Sequence, residues 1–233
     1  TPQEAGSGTT MSVGMVKIGD YVQLKSLSVA TYGGVGTAIT NVANLKVKVV
    51  GINPYKSTGL NTDAAKAHVV FQFEKVVTSR RMHSSSINNY SGTEMRTYLT
   101  GNFYTGLTTA GVPDGVVWAV KRRIGTYSSY EDLSDKVFLP TLWEVTEDRM
   151  LTDINSGTDT EASGTQGRLS AYNSGHNTDS TRVKYLSNIV TGWWLASHYN
   201  QSQNKYCIIN SDGRPDNDSS SSGGGVAPAF CVK

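Results

Sequence analysis

Residues that carry chemistry are scarce in this chain. The four histidines, His68, His83, His176 and His198, are scattered, and none forms a metal-ligand pair such as His-x-x-x-His. Cys207 and Cys231 are the only cysteines and no Cys-x-x-Cys exists, which argues against a zinc site and a dithiol redox motif. The two read as buried thiols acting as small hydrophobes, with a disulfide between neighbouring C-terminal strands as the alternative. Gly-x-Ser-x-Gly is missing, as is a phosphate loop ending in Gly-Lys-Ser/Thr. The Gly33-Gly34-Val35-Gly36 cluster has no helix pattern after it and reads as loop punctuation. Asp216 and Asp218 around Asn217 lack EF-hand spacing and read as a solvated loop rather than a calcium site. The expectation is therefore no catalytic residue, no metal ligand and no cofactor.

Charge is also thin. Charged residues make up 17% of the 233 positions and the formal net charge is +2, so nothing in the bulk composition drives binding to polyanions. The densest basic spots, Arg80-Arg81 and Lys121-Arg122-Arg123, read as solvated strand ends rather than phosphate sites. No nucleic acid partner is expected. No apolar run approaches the ~20 residues of a membrane-spanning helix, so no membrane insertion is expected either. Thr1 to Thr10 carries no charged-then-apolar signal pattern. Low charge with abundant Ser, Thr, Asn and Gly matches the composition of secreted and virion-surface proteins.

What is present is an alternation of short apolar runs and polar loops. Residues 1–14 read as a flexible N-terminal arm, or a strand lent to a neighbour, and 15–233 as a single domain. Tyr21–Leu24, Leu45–Ile52 and His68–Phe73 read as strands, with Asn53-Pro54 stopping the second. Val116–Arg122 and Lys136–Leu139 read likewise. Asn88–Gly106 is expected to hold a helix. Ser91 and Glu94 have capping-box spacing, and Met95, Tyr98, Leu99 and Phe103 follow at helical intervals. Thr141 and Glu144 repeat that spacing and predict a second, shorter helix over Thr141–Arg149. Asn155–Asn177 is polar, Gly-rich and aperiodic, which predicts a surface loop. Gly192–Ser197, Lys205–Asn210 and Val226–Val232 predict three closing strands, with Asp212-Gly213 as a hairpin turn signal. In the last strand Val226, Phe230 and Val232 fall on one side and Ala227, Ala229 and Cys231 on the other. Strands, then helices, then strands predict an α+β fold of mixed and antiparallel strands with two helices and long irregular loops.

The C-terminal quarter has a recognisable order. It runs Gly192-Trp193-Trp194-Leu195-Ala196-Ser197, then Ile208-Ile209-Asn210-Ser211-Asp212-Gly213, then Gly225-Val226-Ala227-Pro228-Ala229. This resembles a family of bacterial and phage proteins that ends in Gly-Trp-Trp-Leu-Arg-Ser-Pro, Val-Asn-Ser-Asp-Gly and Gly-Val-Arg-Pro-Ala. Two upstream stretches resemble it as well. Asn88-Asn89-Tyr90 through Arg96-Thr97-Tyr98-Leu99 is similar to its Asn-Asn-Tyr-x-x-Ser-x-Ile-Arg-x-Trp-Leu. Asp135-Lys136-Val137-Phe138-Leu139 with Glu144-Val145 is similar to its Asp-Lys-Val-Phe-Leu-Leu-Ser-x-x-Glu-Val. The resemblance implies a C-type-lectin-like fold. Similar folds serve as variable ligand-binding proteins of diversity-generating retroelements, including phage receptor-binding proteins.

The resemblance thus implies a non-enzymatic ligand-binding or receptor-recognition protein on a virion, extracellular or prokaryotic cell surface. Its partner would be a protein or other ligand on a host or neighbouring cell. A structural module of a phage tail or cell-surface appendage is the alternative, and an enzyme on the same frame ranks last. Calcium-dependent sugar binding is not implied, because the Glu-Pro-Asn and Trp-Asn-Asp runs of sugar-binding C-type lectins are missing. The family arginines are also replaced, by Ala196 and Ala227, and His198 stands where the family has Pro.

Retroelements of this kind mutate template adenines, often in Asn codons. The accessible products include Asn, Asp, Ser, Tyr, His, Gly, Ala, Arg and Thr. Ala196, His198, Tyr199, Asn200, Asn204, Tyr206, Asn210, Asp212, Arg214, Asp216, Asn217, Asp218, Ser219 and Ser220 belong to that set and form the candidate ligand surface. Gln201, Gln203 and Lys205 do not follow from an Asn codon and would be fixed. Tyr199, Tyr206 and Arg214 are the expected anchors, since Tyr and Arg offer large or multidentate contacts. Trp193, Trp194 and Leu195 are expected to be frame.

Overall fold

The structure is a computed structural model and describes residues 15–33, 37–56, 60–61, 67–127, 129–146, 167–172 and 179–233. The N-terminal arm, most of the Gly33–Gly36 turn, and 155–166 and 173–177 of the expected loop lie outside the described residues.

Val69–Phe73 organises the first sheet and is buried at all five positions. A run of Val, Val, Phe, Gln, Phe suits a strand covered on both faces. Its one polar member is satisfied, because Gln72 donates to the Ala227 carbonyl and accepts from the Tyr172 hydroxyl at 2.6 Å. The strand lies between Lys46–Ile52 and the C-terminal strand Ala229–Val232. Tyr21–Gln23 extends the sheet on one side, and Val137–Phe138 and Val117–Trp118 pair with Ala229–Val232 on the other. Every one of these pairings is antiparallel.

The second sheet runs in the order Pro215–Ser219, Lys205–Ile209, Trp193–His198, Gly224–Val226 and Thr78–Arg80. Its one parallel pairing joins Trp193–His198 to Gly224–Val226. Two-stranded ribbons complete the described strands: Ser26–Val29 with Ile39–Ala43, Val120–Gly125 with Tyr130–Asp135, and Tyr185–Leu186 with Ile189–Val190. Mixed, mostly antiparallel sheets with few helices make this an α+β fold.

The expected strand Val226–Val232 is in fact two strands in two sheets. Pro228 has no N–H to donate to a ladder, and its carbonyl instead accepts from Phe73 at 3.0 Å. The chain therefore crosses from one sheet to the other at Ala227-Pro228. The two sides read from the sequence survive the break. Val226 and Phe230 join one core cluster, and Ala227, Ala229 and Cys231 join the other. The run Val116–Arg122 is likewise split, into Val117–Trp118 and the first half of Val120–Gly125.

The principal helix is continuous through Glu94–Tyr98, a π-helical turn at Leu99–Phe103, and Tyr104–Thr109. Met95, Tyr98, Leu99, Phe103 and Leu107 form its buried stripe. It sits on the ribbon Ser26–Val29 so closely that a Cβ at Gly106 would stand 2.5 Å from the Ser28 carbonyl oxygen. Its cap is Thr93, not Ser91. The Thr93 hydroxyl accepts from Arg96 N–H at 3.1 Å. Ser91 N–H goes to Glu131, and the Glu94 carboxylate turns to Arg81 and Ser84. The second capping box is complete: Thr141 and Glu144 close Leu142–Val145 reciprocally. A third, short helix, Asp179–Arg182, was not expected.

Parts of the expected surface are core. Leu169 and Tyr172, inside the loop read over Asn155–Asn177, are buried in the second cluster. Arg80 and Arg122 are not solvated strand ends. Arg80 is 2% exposed and lies over the Tyr98 ring, and Arg122 is fully buried over the Phe138 ring.

Candidate functional site

The candidate residues collect on one hairpin, the loop before it and the end of the strand Trp193–His198. Lys205–Ile209 pairs with Pro215–Ser219 over five rungs. The turn between them uses Gly213 at φ +90°, a conformation glycine adopts without a Cβ penalty. Asn210 N–H donates to the Arg214 carbonyl at 2.9 Å, and Arg214 N–H returns to Asn210 Oδ1 at 2.9 Å and Asp212 Oδ1 at 3.2 Å. From below, the buried Arg182 guanidinium donates to the Gly213 carbonyl at 2.7 Å. The Arg182 carbonyl accepts the Trp193 indole N–H. The Asp212-Gly213 turn is therefore tied to the core by a chain of three residues.

Two buried faces fix this hairpin. Tyr206 belongs to one core cluster, and Cys207 and Ile209 to the other. Trp194 and Ala196 lie on the first side of the neighbouring strand, Trp193 and Leu195 on the second. Both cysteines are buried and neither is in a disulfide, and burial pushes the Cys231 thiol pKa up.

Burial removes four candidates from an open ligand surface: Ala196, His198 and Tyr206 at 0% exposure and Ser220 at 1%. Ala196 sits in the apolar core with its N–H on the Pro140 carbonyl. The Tyr206 hydroxyl donates to the Asn89 carbonyl at 2.9 Å, so this expected anchor is frame. Ser220 is held by its backbone to Asn204 and His83 and by its hydroxyl to the Ser85 carbonyl. His198 lies edge-on to Tyr206 at 4.8 Å and to Tyr127 at 6.0 Å. Burial pulls its pKa below the ordinary imidazole value. The backbone near Gln203, Tyr199 and Ile87 opposes that shift without closing a hydrogen bond of full geometry on either ring nitrogen.

Asp212, Arg214 and Asp216 are exposed, and Tyr199, Asn200, Asn204, Asn210, Asn217, Asp218 and Ser219 are half-buried. Tyr199 packs partly against the second core cluster while its hydroxyl reaches Gln201. The segment 216–219, read from the sequence as loop, is strand.

A shallow groove of about 260 Å³ adjoins this face. Asn210, Ser211 and Asp218 line it from the hairpin, and Ser79 and Thr191 from the far side, over Trp194 and Ile208. Its glycine wall is dictated by packing, since a Cβ at Gly224 would stand 2.5 Å from the Trp194 indole nitrogen. Ser79 and Thr191 escaped the sequence reading, because isolated hydroxyls on distant segments give no local pattern. The groove offers hydroxyls, an amide and a carboxylate, which can orient a polar ligand by hydrogen bonds. Among the described residues no group of three or more His, Cys, Asp or Glu could hold a metal ion.

A buried polar network centres on Glu144, and only its Thr141 capping box had a sequence signal. Glu144 accepts from the Tyr55 hydroxyl at 2.6 Å, from Arg122 at 3.1 Å and from Thr141 N–H at 2.8 Å. Burial first, and then the Glu144 charge, hold the Tyr55 pKa well above its ordinary value. Burial is the largest single influence on the Arg122 guanidinium and lowers its pKa, but Glu144, Tyr55, Asp135 and Tyr90 together hold it above its ordinary value.

No curated protein and no solved structure matches the chain. The family described as Domain of unknown function (DUF6273) matches residues 67–233. The match takes in the candidate hairpin, the groove and every strand from Val69–Phe73 onward, and leaves out Tyr21–Gln23 and Lys46–Ile52. With that much of its length matched, the chain belongs to the DUF6273 family.

Proposed function

We propose that this protein is a non-enzymatic binding module whose C-type-lectin-like frame presents a polar and aromatic face, built from Tyr199, Asn200, Asn210, Asp212, Arg214 and Asp216, to a ligand on a host or neighbouring cell surface. The observation that carries this reading is the division of labour along one hairpin. Buried Tyr206, Cys207 and Ile209 fix its position, while Asp212, Arg214 and Asp216 stand exposed and lie beside a polar groove. Adaptable polar side chains on a rigid support are the usual construction of a recognition surface. The same division suits a diversity-generating retroelement variable protein, displayed on a virion or a cell. Changes at exposed positions leave the core intact, and the sites open to adenine mutagenesis narrow to those outside the core.

Sequencing the locus in independent isolates tests the reading. The expected result is variation concentrated at the six positions of this face, constant Ala196 and Tyr206, and a near-repeat of the 3′ end beside a reverse transcriptase gene. Variation spread evenly over buried and exposed positions, with no near-repeat, would favour a structural module of a tail or appendage.

A further inference from the structure

Among the described residues, Pro215–Ser219 lies at one edge of the five-stranded sheet and pairs on one side, with Lys205–Ile209. An edge strand ordinarily offers a row of unpaired N–H and C=O groups to which another chain can add. The register shows which groups those are here. Asn210 N–H donates to the Arg214 carbonyl, and Ser220 N–H to the Asn204 carbonyl at 2.7 Å. Hydrogen-bonded pairs alternate along an antiparallel ladder, so Asp216 opposite Ile208 and Asp218 opposite Tyr206 take the same inward role. Pro215, Asn217 and Ser219 therefore turn their backbone polar groups away from the sheet.

None of these outward positions offers a donor to a partner strand. Pro215 has no N–H, which also explains how a proline sits inside a strand without costing a ladder bond. The Asn217 N–H donates to Asp216 Oδ1 at 2.8 Å, and the Ser219 N–H to Asp218 Oδ1 at 2.7 Å. The Ser222 hydroxyl donates to the same Asp218 oxygen at 2.9 Å and holds that carboxylate in place. An added strand would meet outward carbonyls and carboxylates, and its own carbonyls would find nothing to accept from.

We propose that Pro215, Asp216 and Asp218 close this edge to strand addition, so that neither a second copy of the chain nor an extended peptide pairs with Pro215–Ser219. The closure shares Asp216 with the proposed binding face, so variation there must keep an acceptor oxygen, but it does not require that face to hold a ligand. Where it does, recognition there runs through side chains rather than through the backbone.

Sedimentation velocity over a concentration series tests this. In Asp216→Ala/Asp218→Ala the N–H groups of Asn217 and Ser219 are freed. The weight-average mass should climb toward about twice the parent value where the parent stays constant, because an open edge templates pairing. Asp216→Asn/Asp218→Asn keeps an acceptor oxygen without the charge and should behave as the parent. Adding Asn217→Pro to the alanine pair removes the central freed donor and should reverse the association. A folded alanine variant with the parent's mass throughout would overturn the proposal. So would an asparagine variant that associates as strongly as the alanine variant, since charge rather than capping would then protect the edge. If the alanine variant fails to fold, Pro215→Thr restores one outward N–H with both caps intact. Association of that variant supports closure, and a constant mass refutes it.

Discussion

Arg122 and Glu144 form an ion pair at 3.1 Å with both side chains wholly out of solvent. The same carboxylate completes the Thr141 capping box and accepts the Tyr55 hydroxyl. One side chain thus starts a helix, neutralises a buried cation and ties in a residue 89 positions away in sequence.

Removing that carboxylate strands the guanidinium. Glu144→Ala should cost about 3–5 kcal/mol, the range for breaking one partner of a buried pair. Urea unfolding of the two proteins measures it. A loss below about 1 kcal/mol, the scale of a surface ion pair, would mean that water reaches Arg122.

Frame and face should separate in stability. Trp194 is fully buried with its indole N–H on the Arg80 carbonyl, so Trp194→Ala should cost about 3–5 kcal/mol. Tyr199 is only half-buried, so Tyr199→Ala should cost less than about 2 kcal/mol. Chemical denaturation curves give both values, and equal losses would undo the division.

His198 predicts an acid-sensitive core. Its folded pKa is lowered by burial, so the unfolded chain takes up the proton first. The stability contribution is fully present above the unfolded value of about 6.5 and is lost as pH falls from there through the folded value. The ring meets Tyr127 and Tyr206, and Glu131 acts on Tyr206. Between pH 7.5 and 5.5 the parent should therefore lose more stability than His198→Phe. Parallel pH dependences in the two proteins would show that the imidazole charges freely in the fold.

The thiols should be silent until the chain unfolds. Cys207 and Cys231 are buried thiols outside any disulfide, and burial holds Cys231 in its unreactive protonated form. Reaction with an aromatic disulfide reagent should give both equivalents in denaturant and neither within the native lifetime. Fast native labelling of either one would place it nearer the surface than its strand allows.

The legible parts of this fold were those where local chemistry and tertiary packing agree. Val69–Phe73 and Trp193–His198 are apolar runs buried on both faces, and Thr141 with Glu144 forms the capping box that the spacing predicts. Asp212-Gly213 turns the hairpin it predicts. Pro215–Ser219 was illegible, because Pro, Asp and Asn disfavour strands and only its place at a sheet edge makes them suitable. The principal helix was found but its cap was misplaced, since Ser91 has Glu94 at box spacing while Thr93 has Arg96. Tyr206 and His198 looked like surface residues because polar-tipped rings give no sign of which way they face. The groove needed the fold, because Ser79 comes from a strand and Thr191 from a connecting segment, both distant in sequence from the hairpin.

A saturation scan of residues 193–220, read out by folding on a display surface, tests most directly the claim that a fixed frame carries a freely variable face. The account predicts broad tolerance at Asp212, Arg214 and Asp216, partial tolerance at Tyr199, Asn200 and Asn210, and little at Trp194, Ala196, His198, Tyr206 and Cys207. Equal intolerance at the exposed and the buried positions would contradict it, because the polar face would then be part of what holds the fold together.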